Sequence, residues 1–288
     1  LILPKGIELE LSMSVIGQWR NEYGSILDIR SHDAMGGLSG VYSSHTGATG
    51  VYPVSGWSPT ISKHAENRPI SLCVSWNPID YVEELADGHW VSVMSGVRYA
   101  DAPGDAPQIQ MLHGLVAFAD SGHKELGGSG IRAETLTFRK LYPANTSHSD
   151  TKDVSRGRPA TPVRHFTLTN QNPRSDYSQV SCVSWSDGSV TGSIQSRDTL
   201  VSARGFLGQT VRQRVRSIVL SASNGSDESR SIGFSGFIDG EAGVAMLQLF
   251  DAAPVPYHDK YTAVTLGHET FFLEYVARDE PPPTVLAG

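Results

Sequence analysis

A chain of 288 residues with 39% hydrophobic and 18% charged residues describes a folded protein, too long for one small domain and comfortable for two. Its formal charge of −7 argues against nucleic acid or an anionic membrane as the partner, since neither would meet a basic surface. No apolar run approaches the length of a membrane-spanning helix, so no membrane partner is expected.

In chain order, short runs rich in Val, Ile, Thr, Ser and aromatics recur between Gly, Asn, Asp and Pro turns. Helical periodicity is nearly absent, so the chain is predicted to be all-β. Strands are expected near 15–30, 38–45, 51–57, 70–77, 89–99, 108–119 and 131–141, and splitting the first run at Gly24 makes an eighth. Leu72, Val74 and Trp76 share one strand face while Cys73 and Ser75 share the other, the alternation of a barrel wall.

Residues 143–163 carry three prolines and many Ser and Thr, and read as a linker. The second half then repeats the first in diluted form. Leu38-Ser39-Gly40-Val41-Tyr42 matches Val190-Thr191-Gly192-Ser193-Ile194, and Ser71-Leu72-Cys73-Val74-Ser75 matches Ser217-Ile218-Val219-Leu220-Ser221. Ser95-Gly96 followed by Met111-Leu112-His113 matches Ser235-Gly236 followed by Met246-Leu247-Gln248. Their common order predicts two tandem eight-stranded antiparallel up-and-down β-barrels, over residues 8–142 and 164–277, with a disordered tail at 278–288.

Enzyme signatures are missing. There is no Walker loop, no dinucleotide fingerprint after a strand, no HExxH and no GxSxG elbow. The ten histidines are scattered without zinc spacing, so neither metal nor cofactor is expected and the protein is not read as an enzyme. Cys73 and Cys182, one in each half, are expected to be packed free thiols rather than a bridge between the halves. Two sequons, at Asn145 and Asn224, would suit a secreted protein, although no signal peptide is visible.

One constellation carries chemistry. Gly17-Gln18-Trp19-Arg20-Asn21-Glu22-Tyr23-Gly24-Ser25 resembles the first strand of the avidin family, which includes streptavidin and the fungal tamavidins. Leu38–Ser44, Tyr52-Pro53-Val54-Ser55-Gly56 and Val74-Ser75-Trp76-Asn77 are similar to the next three strands, and Leu266-Gly267-His268-Glu269-Thr270-Phe271 to the last. The resemblance implies a biotin site in which Asn21, Ser25 and Tyr42 meet the ureido oxygen and Ser44 accepts from a ureido N–H. It further implies that Trp76 walls the ring system and Ser92 lies beside the ring sulfur. The pairs Asn21/Ser25 and Tyr42/Ser44 fall on common strand faces, as convergence requires.

Departures from the family matter as much. His113 stands where the family has a second Trp wall, and Trp90 replaces a hydroxyl that meets the carboxylate tail. Leu136 replaces the acid that accepts the other ureido N–H, with Glu134 on the same face. In the second barrel Ile194 corresponds to Tyr42 and Ala222 to Trp76, and the Asn position is open between Asn170 and Asn172. There Glu269, Ser196 and Tyr261 remain of the site, and Tyr261 falls at the position from which the family's lid Trp covers a neighbouring barrel. The matching position in the first barrel is Gly128, which offers no lid.

The expected function is non-covalent binding of biotin or a biotin-like ligand in the first barrel, with weakened affinity, in a homodimer that forms a four-barrel assembly. Two rivals are a sugar-binding lectin, from a barrel rich in Ser, Thr, Asn and aromatics, and a barrel-fold biosynthetic enzyme such as a cyclase.

Overall fold

The computed structural model describes residues 14–44, 49–60, 67–79, 90–100, 102–104, 106–117, 130–141, 160–208, 215–224 and 229–275. Most of the expected linker, Asn145, Gly128 and the tail lie outside the described residues.

Among the described residues, sixteen strands form two closed barrels. The first contains β1 (Gly17–Asn21), β2 (Ile26–His32), β3 (Gly37–Ser44), β4 (Gly50–Trp57), β5 (Arg68–Ser75), β6 (Val91–Tyr99), β7 (Gln108–Ala117) and β8 (Gly130–Lys140). The second contains β9 (Pro162–Asn170), β10 (Tyr177–Trp185), β11 (Ser189–Ser196), β12 (Thr199–Leu207), β13 (Val215–Ser223), β14 (Ser231–Asp239), β15 (Val244–Ala252) and β16 (Val264–Tyr275). Within each barrel every strand pairs antiparallel with its chain neighbours, and β1–β8 and β9–β16 close the two rings. The division of the first run at Gly24 is real. Gly24 takes φ +85° in the β1–β2 turn, a conformation that costs glycine no Cβ clash.

Trp19, Leu27, Ile29, Leu72, Val74, Met94, Met111 and Phe138 fill the first barrel, and Phe166, Leu168, Val180, Leu220, Phe234, Leu247 and Phe271 fill the second. A third core lies between the barrels. Cys73, Val91, Val93 and Val116 on the outside of the first pack against Phe206, Val219 and Phe250 on the outside of the second. Every residue of β6 is therefore buried, because its two faces are covered by different barrels. Close approach demands small residues in this contact. A Cβ on Gly114 would lie 2.5 Å from the Phe250 ring, and one on Gly233 would lie 2.5 Å from Val93. Ser221 Oγ donates to the Ser71 carbonyl at 2.8 Å, and Arg204 pairs with Asp33 at 3.2 Å across the same boundary.

Both cysteines are free and buried, Cys73 in the interface and Cys182 inside the second barrel. Burial pushes the Cys182 thiol up to about 12 and raises Cys73 as well, so neither is a ready nucleophile.

Strand register revises the matching of the halves. Gly40 and Gly192 hold equivalent places, since Val54 and Ala203 face them. Because Val54 faces Val74 and Ala203 faces Ala222, Ala222 is the counterpart of Val74. Trp76 therefore corresponds to Asn224, two residues beyond the expected position. A slip of two keeps every side chain on its own face, so alternation cannot detect it. In β15 the expected match slips by one: Leu247, not Met246, is the inward counterpart of Met111, and Met246 points outward at 50% exposure.

Candidate functional site

The site is built from the end of the first barrel where β1 turns into β2. Asn21 Oδ1 accepts from the backbone N–H groups of Tyr23 (3.1 Å) and Ser25 (2.8 Å), which ties the carboxamide to the turn. Its Nδ2 is thereby aimed inward and donates to the Tyr42 hydroxyl at 3.2 Å. The Tyr42 oxygen accepts there, so its own proton is available to a further acceptor. Burial pushes the Tyr42 phenol above the usual tyrosine range, against the pull of Ser25 and Asn21 beside it.

Trp76 lies edge-on to Tyr42, with ring centroids 5.8 Å apart, and tilts against Tyr52 at 4.9 Å. Its indole N–H donates to Ser92 Oγ at 2.9 Å, which holds the ring as a wall. On the opposite side His113 Nδ1 lies 3.0 Å from Glu134 Oε1. That bond holds the Glu134 carboxyl below the usual glutamate range, with burial acting the other way.

These side chains enclose a cavity of about 210 Å³, lined by Asn21, Tyr23, Tyr42, Ser44, Trp76, Trp90, His113, Leu115, Glu134 and Leu136. Asn21, Tyr42, Ser44, Trp76 and His113 are thus brought together around one cavity. Ser25 and Ser92 are buried directly behind this lining, Ser25 in the Asn21 turn and Ser92 beneath Trp76. One buried polar atom of the lining has no hydrogen-bond partner among the described residues: His113 Nε2. Sequence reasoning did not single out Leu115 or Tyr23. Leu115 follows His113 by two on the same strand face, and Tyr23 sits in the turn that Asn21 caps, so both were within reach of the period-two rule and the turn chemistry.

Tyr261 is elsewhere. It lies on a 3-10 turn, Tyr257–Thr262, and is 79% exposed. Tyr257 of the same turn packs T-shaped on Tyr99 with centroids 5.3 Å apart. Tyr99 ends β6, whereas Trp90, which lines the cavity, immediately precedes its start, so this turn is seated at the far end of the first barrel.

At the equivalent end of the second barrel the polar side chains bond one another. Register resolves the open position to Asn170, which faces Phe271 as Asn21 faces Phe138. Asn170 Nδ2 and Ser175 Oγ both donate to the Glu269 carboxylate, at 2.8 and 3.0 Å. Tyr177, at a bulge in β10, packs against Phe234 and accepts at its hydroxyl from Asn224 Nδ2 at 3.2 Å. Arg230 and Asp251 complete the group with a two-pronged ion pair at 3.0 and 2.9 Å. Asn224 is buried in this network, so its sequon is not an available glycosylation acceptor in the folded chain, contrary to the sequence expectation.

A family model described as the avidin family matches residues 10–120. No curated protein matches the chain. Among solved structures, xenavidin is similar at 19% identity and a TM-score of 0.35, over 45% of this chain and 99% of its own. A biotin-binding protein from chicken is similar at 24% identity and a TM-score of 0.35, over 46% of this chain and 98% of its own. A point variant of shwanavidin, solved with biotin, is similar at 24% identity and a TM-score of 0.33, over 44% of this chain and 98% of its own.

Proposed function

From a first barrel that matches a model of the avidin family over residues 10–120, we propose that this barrel holds a small ligand non-covalently, with biotin as the first candidate. The observation that carries this reading is a buried, unpartnered polar atom, His113 Nε2, at a cavity walled by Trp76 and Tyr42. Leaving a buried polar atom unpaired costs about 1–3 kcal/mol, a cost that a ligand with matching groups removes. Affinity falls below the family's extreme, because Leu136, Trp90 and His113 depart from the family's pattern at three contacts. Titrating the full chain with biotin should quench tryptophan fluorescence and release saturable heat. No heat at high protein concentration would count against biotin as the ligand.

The same reading pairs two chains into a four-barrel assembly. Met246, Leu266 and Phe272 lie exposed on the outward faces of β15 and β16, continuous with the interface residues Phe250 and Val264. Tyr261 serves as a lid only from a second copy, since its own turn is seated at the far end of the first barrel. Sedimentation should read a two-chain particle, and Tyr261→Ala should speed biotin release without unfolding the protein. A monomer at micromolar concentration would sink the assembly.

A further inference from the structure

We propose that His113 Nε2 is the acceptor in the first barrel's site: it takes an N–H or O–H from the polar head of the bound molecule. The inference rests on the first barrel being the ligand site. It starts from an exchange between the two barrels. Glu269 holds in the second barrel the place of Leu136 in the first, because Phe271 and Phe138 pair with Asn170 and Asn21. Leu249 holds the place of His113, because the two pair with Phe234 and Met94, equivalent positions on β14 and β6. One barrel thus has an acid on its last strand and a leucine on the strand before it. The other has the leucine on its last strand and an imidazole on the strand before. An acceptor lost at one position is regained at its neighbour.

The chemistry of the ring follows from its other contact. An ionised Glu134 can only accept, so the proton between it and His113 belongs to Nδ1. In the neutral ring Nε2 is then a bare lone pair, and it is buried beside the cavity with no partner among the described residues. The rest of the polar lining is rich in donors. Tyr42 receives a hydrogen bond from Asn21 and has its own proton to give, and the Asn21 carboxamide nitrogen stands beside it. A ligand fits this arrangement when its head carries a carbonyl for those donors and an adjacent N–H for the imidazole, as in a cyclic urea or a lactam. Glu134 is a positioning residue: it sets the tautomer by which His113 meets the ligand.

The test uses the full chain with 15N-labelled histidine, biotin, biotin methylated on both ureido nitrogens, and 2-imidazolidinone as the head group alone. In the pH range where the imidazole is neutral, the nitrogen spectrum should show His113 protonated at Nδ1 and bare at Nε2, and 2-imidazolidinone should shift the Nε2 signal. His113→Phe should weaken biotin at least tenfold, while the methylated compound binds both proteins within twofold of each other. Glu134→Leu keeps the ring but frees its tautomer, and should raise the Nε2-protonated population and weaken biotin severalfold. Equal biotin affinity in the wild type and His113→Phe, or a bare Nδ1 with a protonated Nε2 in the wild type, would overturn the proposal. If biotin binds neither protein, biotin is not the ligand, and the Nε2 response to 2-imidazolidinone decides the role of His113: a shift supports it and no shift refutes it.

Discussion

The two barrels share a topology and differ at their open ends in where the polar groups find partners. In the second, Asn170, Ser175 and Glu269 bond one another, as do Tyr177, Asn224, Asp251 and Arg230. In the first, His113 Nε2 ends without a partner among the described residues, beside a cavity of about 210 Å³. A barrel end lined by polar side chains can be stabilised from within or completed by a ligand. The same inward positions serve both, and single exchanges decide which: Trp76 against Asn224, Ser25 against the longer Tyr177. Closing an end from within strengthens the fold and gives up the space a ligand needs.

The sharpest break of this contrast comes from opening the second barrel. Asp251→Ala takes from Arg230 its two-pronged carboxylate partner in a partly buried setting. Stability should fall by about 2–3 kcal/mol, at the lower edge of what breaking a buried pair costs. Biotin affinity in the first barrel should not change. Chemical denaturation and calorimetry on one sample check both halves of the statement, and a coupled loss of biotin binding would deny that the ends act separately.

A smaller effect is expected from removing one hydroxyl at each end. Tyr42→Phe removes the group that accepts from Asn21 and gives its proton to the ligand, so biotin should weaken by about 1–3 kcal/mol. Tyr177→Phe should cost about 1 kcal/mol of stability and nothing in binding, because Asn224 retains Asp251 as an acceptor. Should the two variants exchange their effects, ligand and self-closure have been assigned to the wrong barrels.

Much of this was legible in the sequence, for reasons that also mark where legibility stopped. Alternation at Leu72, Val74 and Trp76 and the turn at Gly24 were enough for strands and closure, since both are local signals. The cluster Asn21, Tyr42, Ser44, Trp76 and His113 could be assembled because the period of two fixes which residues share a face. The correspondence of β5 with β13 was misread because a two-residue shift leaves that period unchanged, and only the ladder from Gly40 and Gly192 settles it. The inter-barrel core was invisible for another reason. Cys73, Val91 and Val93 read as ordinary strand residues until a second surface covers the outer face. Asn224 looked like a glycosylation acceptor because a sequon carries no information on burial.

The closed ends repeat the contrast in charge, and they set the smallest expected effect. Lys140 faces Trp19 across β1 and β8, and the same register places Leu273 opposite Leu168 in the second barrel. Lys140 Nζ donates to the Ser14 carbonyl at 2.8 Å and lies 5.2 Å from the centre of the Trp19 ring, contacts that order the amine. Burial, with Arg98 adding repulsion, lowers the amine from the usual lysine value to about 8. Between pH 8 and the ordinary value near 10.5 the unfolded chain therefore holds more protons than the folded one, so stability rises with pH across that window. Below pH 8 both states carry the proton and the folded state bears the full penalty of the confined charge. Lys140→Leu, which copies the second barrel, should stabilise the protein at pH 7 by on the order of 1 kcal/mol, a figure already reduced for solvent reaching the amine. The difference between variant and wild type should then shrink as pH climbs from 8 to 10, while ionising tyrosines affect both alike. Denaturant midpoints measured at pH 7, 8, 9 and 10 on the two proteins read that difference. A constant gap, or a variant less stable at pH 7, would mean that the hydrogen bond to Ser14 and the Trp19 contact outweigh the buried charge, and that the two closed ends are equally well packed.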